Sequence, residues 1–417
     1  MTASVALIVA AVVLGWCLVG GPLQRLGLSG PMVFLAAGAL LAQLGVVDVA
    51  VDSATLEVII ELALVTSLFS DASSADLRVL GRHGGWAMRM LLIGLPLSIA
   101  VGAGAGMLVL PVLGWSTAVL LAASLAATDA SLSASVLSDE RVPRRVRLAL
   151  NLESGLNDGL ATPVVLIAIM ATASTLGLES GDTETAFLAE LAGGALLGAV
   201  VGGVGGWIIE MAHRRGWMEP GARRLATLAL PVGILAAAEV WGVSMFIAAF
   251  VAGLVFGQLP RSEPSELAQL PEFASEALAW VTWFLFGACL LIPSLEHIDV
   301  RVACYVALSL TVVRMVPVAV SLVRSGADRP TTIFLGWFGP RGLATVVFGL
   351  LIVEDLGSDK PAVQTVLTTL CATILASIVL HAVTATPLAT WLQRSSSDPD
   401  SPDPADVHPD TIDPTAT

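Results

Sequence analysis

Residues 153–159 read Glu153-Ser154-Gly155-Leu156-Asn157-Asp158-Gly159, two carboxylates and an amide at the start of an apolar run over 147–172. In a water-soluble protein such a stretch would be about two turns of a helix with a wet face. The rest of the chain forbids that reading. Of 417 residues, 56% are hydrophobic and 13% charged, with a mean hydropathy of +0.85. An ordinary soluble domain carries about 25% charged residues. So few charges do not cover a water-facing surface, which excludes a soluble globular protein, a disordered chain and a disulfide scaffold. The stretch therefore lies in a membrane span. An ionisable side chain there costs roughly 2.5–3.5 kcal/mol or more and is retained for a reason.

Working outward, thirteen apolar runs are long enough to span: 4–21, 28–46, 54–71, 84–110, 114–137, 147–172, 186–211, 224–240, 243–258, 274–293, 300–323, 331–353 and 361–392. The pair 224–240 and 243–258 is divided only by Glu239, Trp241 and Gly242. If the two fused, every later loop would change side. The basic residues decide this. With thirteen spans, sixteen of the twenty Lys and Arg residues fall on one side, in groups such as Arg78-Arg82-Arg89, Arg141-Arg144-Arg145-Arg147, Arg214-Arg215-Arg223-Arg224 and the single Arg261. Arg301 and Lys360 fall on the other, and Arg314 and Arg341 lie inside spans. The positive-inside rule then puts the N-terminus outside and the C-terminus in the cytoplasm. The outer loops are acidic, with Asp48, Asp52, Glu179, Asp182 and Glu184. The first run has no preceding base and no clear small-residue cleavage site, so it reads as a first spanning helix and not a signal peptide.

Two spans are interrupted. Span 5 breaks at Ala127-Thr128-Asp129-Ala130-Ser131 and span 12 at Gly339-Pro340-Arg341-Gly342. Proline removes a backbone donor, and flanking glycines resist regular helix. Free backbone groups are tolerated in a membrane only where protein buries them around a cavity. The interruptions sit at corresponding places if spans 1–6 and 8–13 are two repeats of opposite topology joined by span 7. Interrupted helices so placed point to a transporter's binding site. In span 7, Gly194, Gly198, Gly202 and Gly206 recur every four residues, a small-residue stripe that lets another helix approach closely.

The charges inside spans are Glu57, Glu61, Asp71, Asp129, Glu153, Asp158, Glu239, Arg314 and Arg341. Glu57 and Glu239 lie near span ends, within reach of water. Asp129 and Asp158 do not. On a helix Ser154 lies one turn below Asp158 on the same face, with Asn157 beside it. Carboxylate, hydroxyl and unwound carbonyl oxygens suit a small monovalent cation, and no His or Cys cluster offers a softer metal site.

In these motifs the chain resembles the monovalent cation:proton antiporter-1 family, the electroneutral sodium/proton exchangers. The resemblance covers roughly residues 5–392. It rests jointly on Thr128-Asp129, on Glu153-Ser154 followed by Asn157-Asp158, on Arg314, and on Gly339-Pro340-Arg341-Gly342. It implies an all-α polytopic fold of about thirteen helices, built as inverted six-helix repeats with broken helices 5 and 12 crossing at mid-membrane. Asp158 would bind the cation and proton in competition. Asp129, the Thr128 carbonyl and the Ser154 hydroxyl would complete a sodium site. Asn157 would hold the broken segments together, and its place in electrogenic relatives is taken by a second Asp, so one proton would exchange per cation. Glu153 and Arg314 would form a buried structural pair, and Arg341 would offset helix-end charge at the span 12 break.

The chain departs from the family twice. The usual Thr-Asp-Pro reads Thr128-Asp129-Ala130, and the acid that follows Leu-Phe on span 3 is displaced by one in Leu68-Phe69-Ser70-Asp71. Asp71 is an entrance carboxylate or an interfacial capping residue.

A membrane domain is thus expected over 1–394, with an interface and dimerisation part at about 1–76 and 186–293. An ion-translocation core would occupy about 83–172 and 299–394. The last residues, 395–417, carry six Asp and no base and read as a disordered acidic cytoplasmic tail. The four cysteines lie in apolar runs and read as small core residues. No cofactor or nucleic-acid partner is expected beyond the transported Na+ and H+, with Li+ or K+ as substitutes, the bilayer and a second copy of the chain. Potassium/proton exchange is the near alternative, and a cation channel or a non-transporting sensor the distant ones. Arginine greatly outnumbers lysine, which suggests a GC-rich bacterial genome and so the inner, or plasma, membrane.

Overall fold

The structure, a computed structural model, describes residues 3–25, 27–47, 54–75, 85–178, 184–219, 221–259 and 264–395. The acidic tail beyond Ser395, the bases Arg78, Arg82 and Arg261, and the acids Asp48, Asp52, Glu179 and Asp182 lie outside the described residues. Within them every regular element is helical. The helices are α1 Ala3–Arg25, α2 Gly30–Gln43, α3 Ala54–Ser74, α4 Gly85–Val109, α6 Arg144–Thr175, α7 184–214, α8 Ala222–Trp241, α9 Met245–Gln258, α10 264–295 and α13 Pro361–Ser395. Three more come in two pieces each: α5 (Trp115–Ser124 and Ala134–Leu137), α11 (Val300–Leu310 and Val312–Ser321) and α12 (Arg329–Trp337 and Leu343–Leu356). The order matches the thirteen expected spans. Among the described residues, eight helices are long and apolar enough to cross a membrane, and α2, the first piece of α5, and α9 are shorter apolar helices.

The narrow division between α8 and α9 has a local cause. Gly242 caps α8 in the left-handed conformation, at φ +62°, which glycine adopts without steric cost. Ser244 then starts α9, its hydroxyl accepting from the Ile247 N–H. The break in α5 forms without the family's proline. Residues 127–129 are irregular, and the Asp129 carboxylate accepts from the Ser131 N–H at 2.7 Å, a local turn that competes with helix.

Span 11, expected to be continuous over 300–323, is also broken, at Thr311 (φ −113°, ψ −89°). The Thr311 hydroxyl bonds back to the Ala307 carbonyl at 2.6 Å, an alternative to the regular ladder that apolarity alone does not reveal. The cysteines also differ from expectation: Cys371 is buried, but Cys17 and Cys304 face outward. In a membrane an outward apolar side chain meets lipid, so apolarity does not distinguish core from perimeter.

Glycines set the closest helix contacts. A Cβ on Gly198 or Gly202 of α7 would overlap the backbone carbonyls of Ala248 or Ala252 in α9, and one on Gly194 would lie 2.5 Å from the Ser244 carbonyl oxygen. The α7 stripe is thus a backbone-to-backbone seam. G198V is expected to cost about 1–3 kcal/mol by overpacking and to lower the melting temperature in detergent. G104V, which points into open space on α4, serves as the control that should melt like the parent.

The helices pack as two groups. In one, α3 lies against α9 and α10, α7 against α9, and α2 against α10. In the other, α5 lies between α4 and α6, and α11 packs on α4, α12 and α13. Contacts of α3 with α6, and of α10 with the second piece of α12, join the groups. Between α5 and α6, Arg141 grips Asp139 and donates to Thr390 of α13 at 3.0 Å. The Arg141 hydrogen bond holds the Asp139 carboxyl below its ordinary range. That contact therefore persists above ordinary carboxylate pKa values and weakens only as pH falls through the lowered one.

Candidate ion-binding site

The breaks of α5 and α12 meet and complete each other's backbone. The Asp129 N–H donates to the Pro340 carbonyl at 2.9 Å. The Asp129 carboxylate accepts from the Leu343 N–H at 3.0 Å and so caps the second piece of α12. Negative charge is favourable at that end because helix N-termini present unpaired N–H groups. The two glycines flanking Pro340-Arg341 supply space more than backbone freedom, since neither has a positive φ. A Cβ on Gly342 would overlap the Asp129 side chain, and one on Gly339 would lie 2.6 Å from Nε of Arg314.

Helix α6 runs past this crossing and contributes the motif of residues 153–159. The Ser154 and Thr128 hydroxyls lie 3.3 Å apart and are buried. Asn157 donates to the Ala126 carbonyl (3.0 Å), to Thr128 Oγ1 (3.1 Å) and to Glu153 Oε1 (3.1 Å), tying the broken part of α5 to α6. Asp158 is 7% exposed. The Thr128 backbone lies beside its carboxylate, and Oδ1 has no protein partner. Asp129 and Asp71 are near enough for their charges to act on it. A buried carboxylate with a bare oxygen, beside two hydroxyls and a second carboxylate, is an oxygen-rich place for a monovalent cation or a proton.

The remaining candidates are placed as follows. Arg314, just past the α11 break, holds Glu153 in a two-point pair, Nη1 to Oε1 at 2.7 Å and Nη2 to Oε2 at 2.9 Å. Arg341 is buried, and its Nη2 lies 3.4 Å from the Ser309 carbonyl in the last turn of the first piece of α11. That is the negative end of a helix, so the α11 break gives Arg341 a dipole to face. Asp71 lies in the last turn of α3, accepts from the Ser67 hydroxyl at 3.1 Å, and rests against Gly155 of α6 where the two helix groups meet. Glu57 and Glu239 are exposed.

A family model described as "Sodium/hydrogen exchanger, transmembrane" matches residues 8–391. The chain belongs to the sodium/hydrogen exchanger family. The matched family is one of transmembrane exchangers. Within this family it is 29% identical over 353 residues to the Na(+)/H(+) antiporter NhaP of Pseudomonas aeruginosa, covering 80% of each chain. It is 25% identical to the K(+)/H(+) antiporter NhaP2 of Shewanella baltica, covering 88% of this chain and 63% of that one. A longer relative in Schizosaccharomyces pombe is 24% identical, with 78% of this chain matching 47% of its length. The chain thus spans about half to two thirds of the first curated relatives it matches. The solved structure of the sodium proton antiporter MjNhaP1 from Methanocaldococcus jannaschii at pH 8 superposes with a TM-score of 0.73 at 23% identity, covering 94% of this chain and 98% of that one. That likeness carries the exchanger fold.

A further polar cluster, unmarked by any motif, lies at the crossing. Ser377, His381 and Thr384 of α13 all bond to the broken part of α12. Their spacing puts three polar side chains on one face of an apolar helix, which is the signal that would have found them.

Proposed function

We propose that this chain exchanges sodium for protons across the membrane, one for one, with both ions competing for Asp158. The observation that carries the reading is the bare Oδ1 of a buried Asp158 at the crossing of two broken helices. A lone buried carboxylate is costly to keep charged. A bound proton or a bound sodium ion each removes that charge, and the empty, charged site is held back. Alternating exposure of the site to the two sides then moves one cation one way and one proton the other, with no net charge per cycle. The one-for-one ratio is supported by Asn157, a group that does not titrate and whose amide hydrogens are already engaged.

In this reading α4–α6 and α11–α13 form the moving core, about 83–172 and 299–394. The fixed part is α1–α3 and α7–α10, about 1–76 and 186–293, through which two copies would pair. Thr128, Ser154, Asp129 and Asp158 supply the sodium ligands. Asp71, set where core and fixed part meet, is the entrance carboxylate. Glu153–Arg314 keeps the core in one piece, and Arg341 balances the helix ends at the break. The sixteen bases on one side argue for an N-terminus outside and a C-terminus in the cytoplasm of the cell membrane. The potassium-exchanging relative from Shewanella baltica keeps potassium as the second reading.

The test uses purified protein in liposomes loaded with a pH-sensitive dye. Sodium added outside should drive protons out at a rate that clamping the voltage leaves unchanged. The half-saturating sodium concentration should fall as pH rises, because fewer protons compete. If potassium alone moves protons, the second reading replaces the first. No proton flux with sodium, lithium or potassium would overturn both.

A further inference from the structure

The α12 break amounts to the opening of one helical turn. In a continuous helix the Arg341 N–H would donate to the Trp337 carbonyl four residues back. Here it donates to the Ser377 hydroxyl of α13 at 3.0 Å. The Trp337 carbonyl faces His381 Nε2 at 2.8 Å. His381 Nδ1 lies 3.2 Å from the same Ser377 hydroxyl and 2.7 Å from the Ser377 carbonyl. The two side chains of α13 are thus inserted into the hydrogen bond that would close the turn. Pro340, with no N–H, makes the insertion easier by leaving the turn already short of a donor.

The insertion is braced on both sides. The imidazole stacks on the Trp337 ring, with centroids 5.5 Å apart, and meets Phe338 edge-on. The Trp337 indole N–H donates to Thr384 at 2.9 Å. Ser377 and His381 are both buried. A carbonyl only accepts, and each ring nitrogen faces one, Trp337 at Nε2 and Ser377 at Nδ1; the bond that reaches across to α12 is the one that needs its hydrogen on Nε2.

The opened turn connects directly to the ion site. Pro340 and Leu343, within and just past it, hold the backbone and carboxylate of Asp129. Asp129 follows Thr128, whose hydroxyl touches Ser154 and Asn157. A turn free to close would pull Pro340 and Leu343 away from Asp129.

We propose that Ser377 and His381 are positioning residues for ion binding, holding the α12 turn open so that Asp129 and Thr128 stand at their places beside Asp158. This rests on the antiporter reading of the site. The test measures sodium-dependent proton flux in liposomes for the parent, H381A, S377A and H381Q. The glutamine amide can donate to the Trp337 carbonyl while its oxygen accepts from Ser377. H381A and S377A should raise the half-saturating sodium concentration by about fivefold to tenfold, the scale of one lost hydrogen bond. H381Q should return it close to the parent value. An unchanged half-saturation in H381A, or no rescue by H381Q, overturns the proposal.

A second measurement does not depend on a variant that folds or on transport. Nitrogen NMR of the parent, labelled at its five histidines, should find the His381 hydrogen on Nε2, and a bare Nε2 overturns the clamp. If the parent moves no protons with any monovalent cation, the antiporter reading fails while the NMR result still decides the clamp.

Discussion

Asp158→Asn should reduce sodium-driven proton flux to that of protein-free liposomes while the protein still purifies as a folded species. The two halves of this expectation come from different features of one side chain. The amide has nearly the shape of the carboxylate and fills the same space beside Thr128. Its NH2 group would take the position of Oδ1, which makes no hydrogen bond to protein. No existing contact is lost, so stability should change little. The chemistry is removed altogether. An amide neither carries a proton on and off nor gives a sodium ion a negative ligand. Flux by the variant at the parent's rate would remove Asp158 from the mechanism. Loss of fold would show that the side chain is structural instead.

The second large effect concerns stability. Glu153 and Arg314 are 2% and 6% exposed and joined at two points. Removing one partner leaves the other charge buried without compensation, which costs about 3–5 kcal/mol. E153Q and R314M should each sharply lower folded yield and the melting temperature in detergent. The double variant E153M/R314M should recover much of the loss, because replacing a buried pair by apolar groups of similar size is close to neutral. Asn157 would then lack its Glu153 acceptor, so recovery is expected to be partial. Equal melting of the parent and both single variants would show that the pair does not hold the core together.

Much of this architecture was legible in the sequence because a membrane makes the signals strong. Apolar runs must be long enough to span, and misplaced charges are costly. Even the short connection between α8 and α9 was marked, by Gly242 and by the bases that follow. Glu153, Asn157, Asp158 and Arg314 were conspicuous as polar residues where polar residues are rare. What was not legible depends on which neighbour a residue meets. Thr311 breaks α11 through a bond to its own helix, and threonine is too common in spans for that to stand out. Gly339 and Gly342 read as helix breakers, yet they make room for Arg314 and Asp129 from distant parts of the chain. His381 carries no motif, and only the partners of its two ring nitrogens give it a place.

The crossing also bears on how the protein is made. Glu153 and Arg314 are separated by 161 positions in the chain, and Asp129 and Leu343 by 214. A ribosome adding about 5–20 residues per second needs on the order of ten to thirty seconds to travel from Glu153 to its counter-ion. Throughout that interval α5 and α6 must wait in or beside the insertion machinery with a bare carboxylate and an unfinished helix. The first half of the nascent chain therefore carries the acids of the site well before it carries the groups that balance them. Membrane integration of the N-terminal half is the stage of biogenesis at which this protein most needs shelter from lipid.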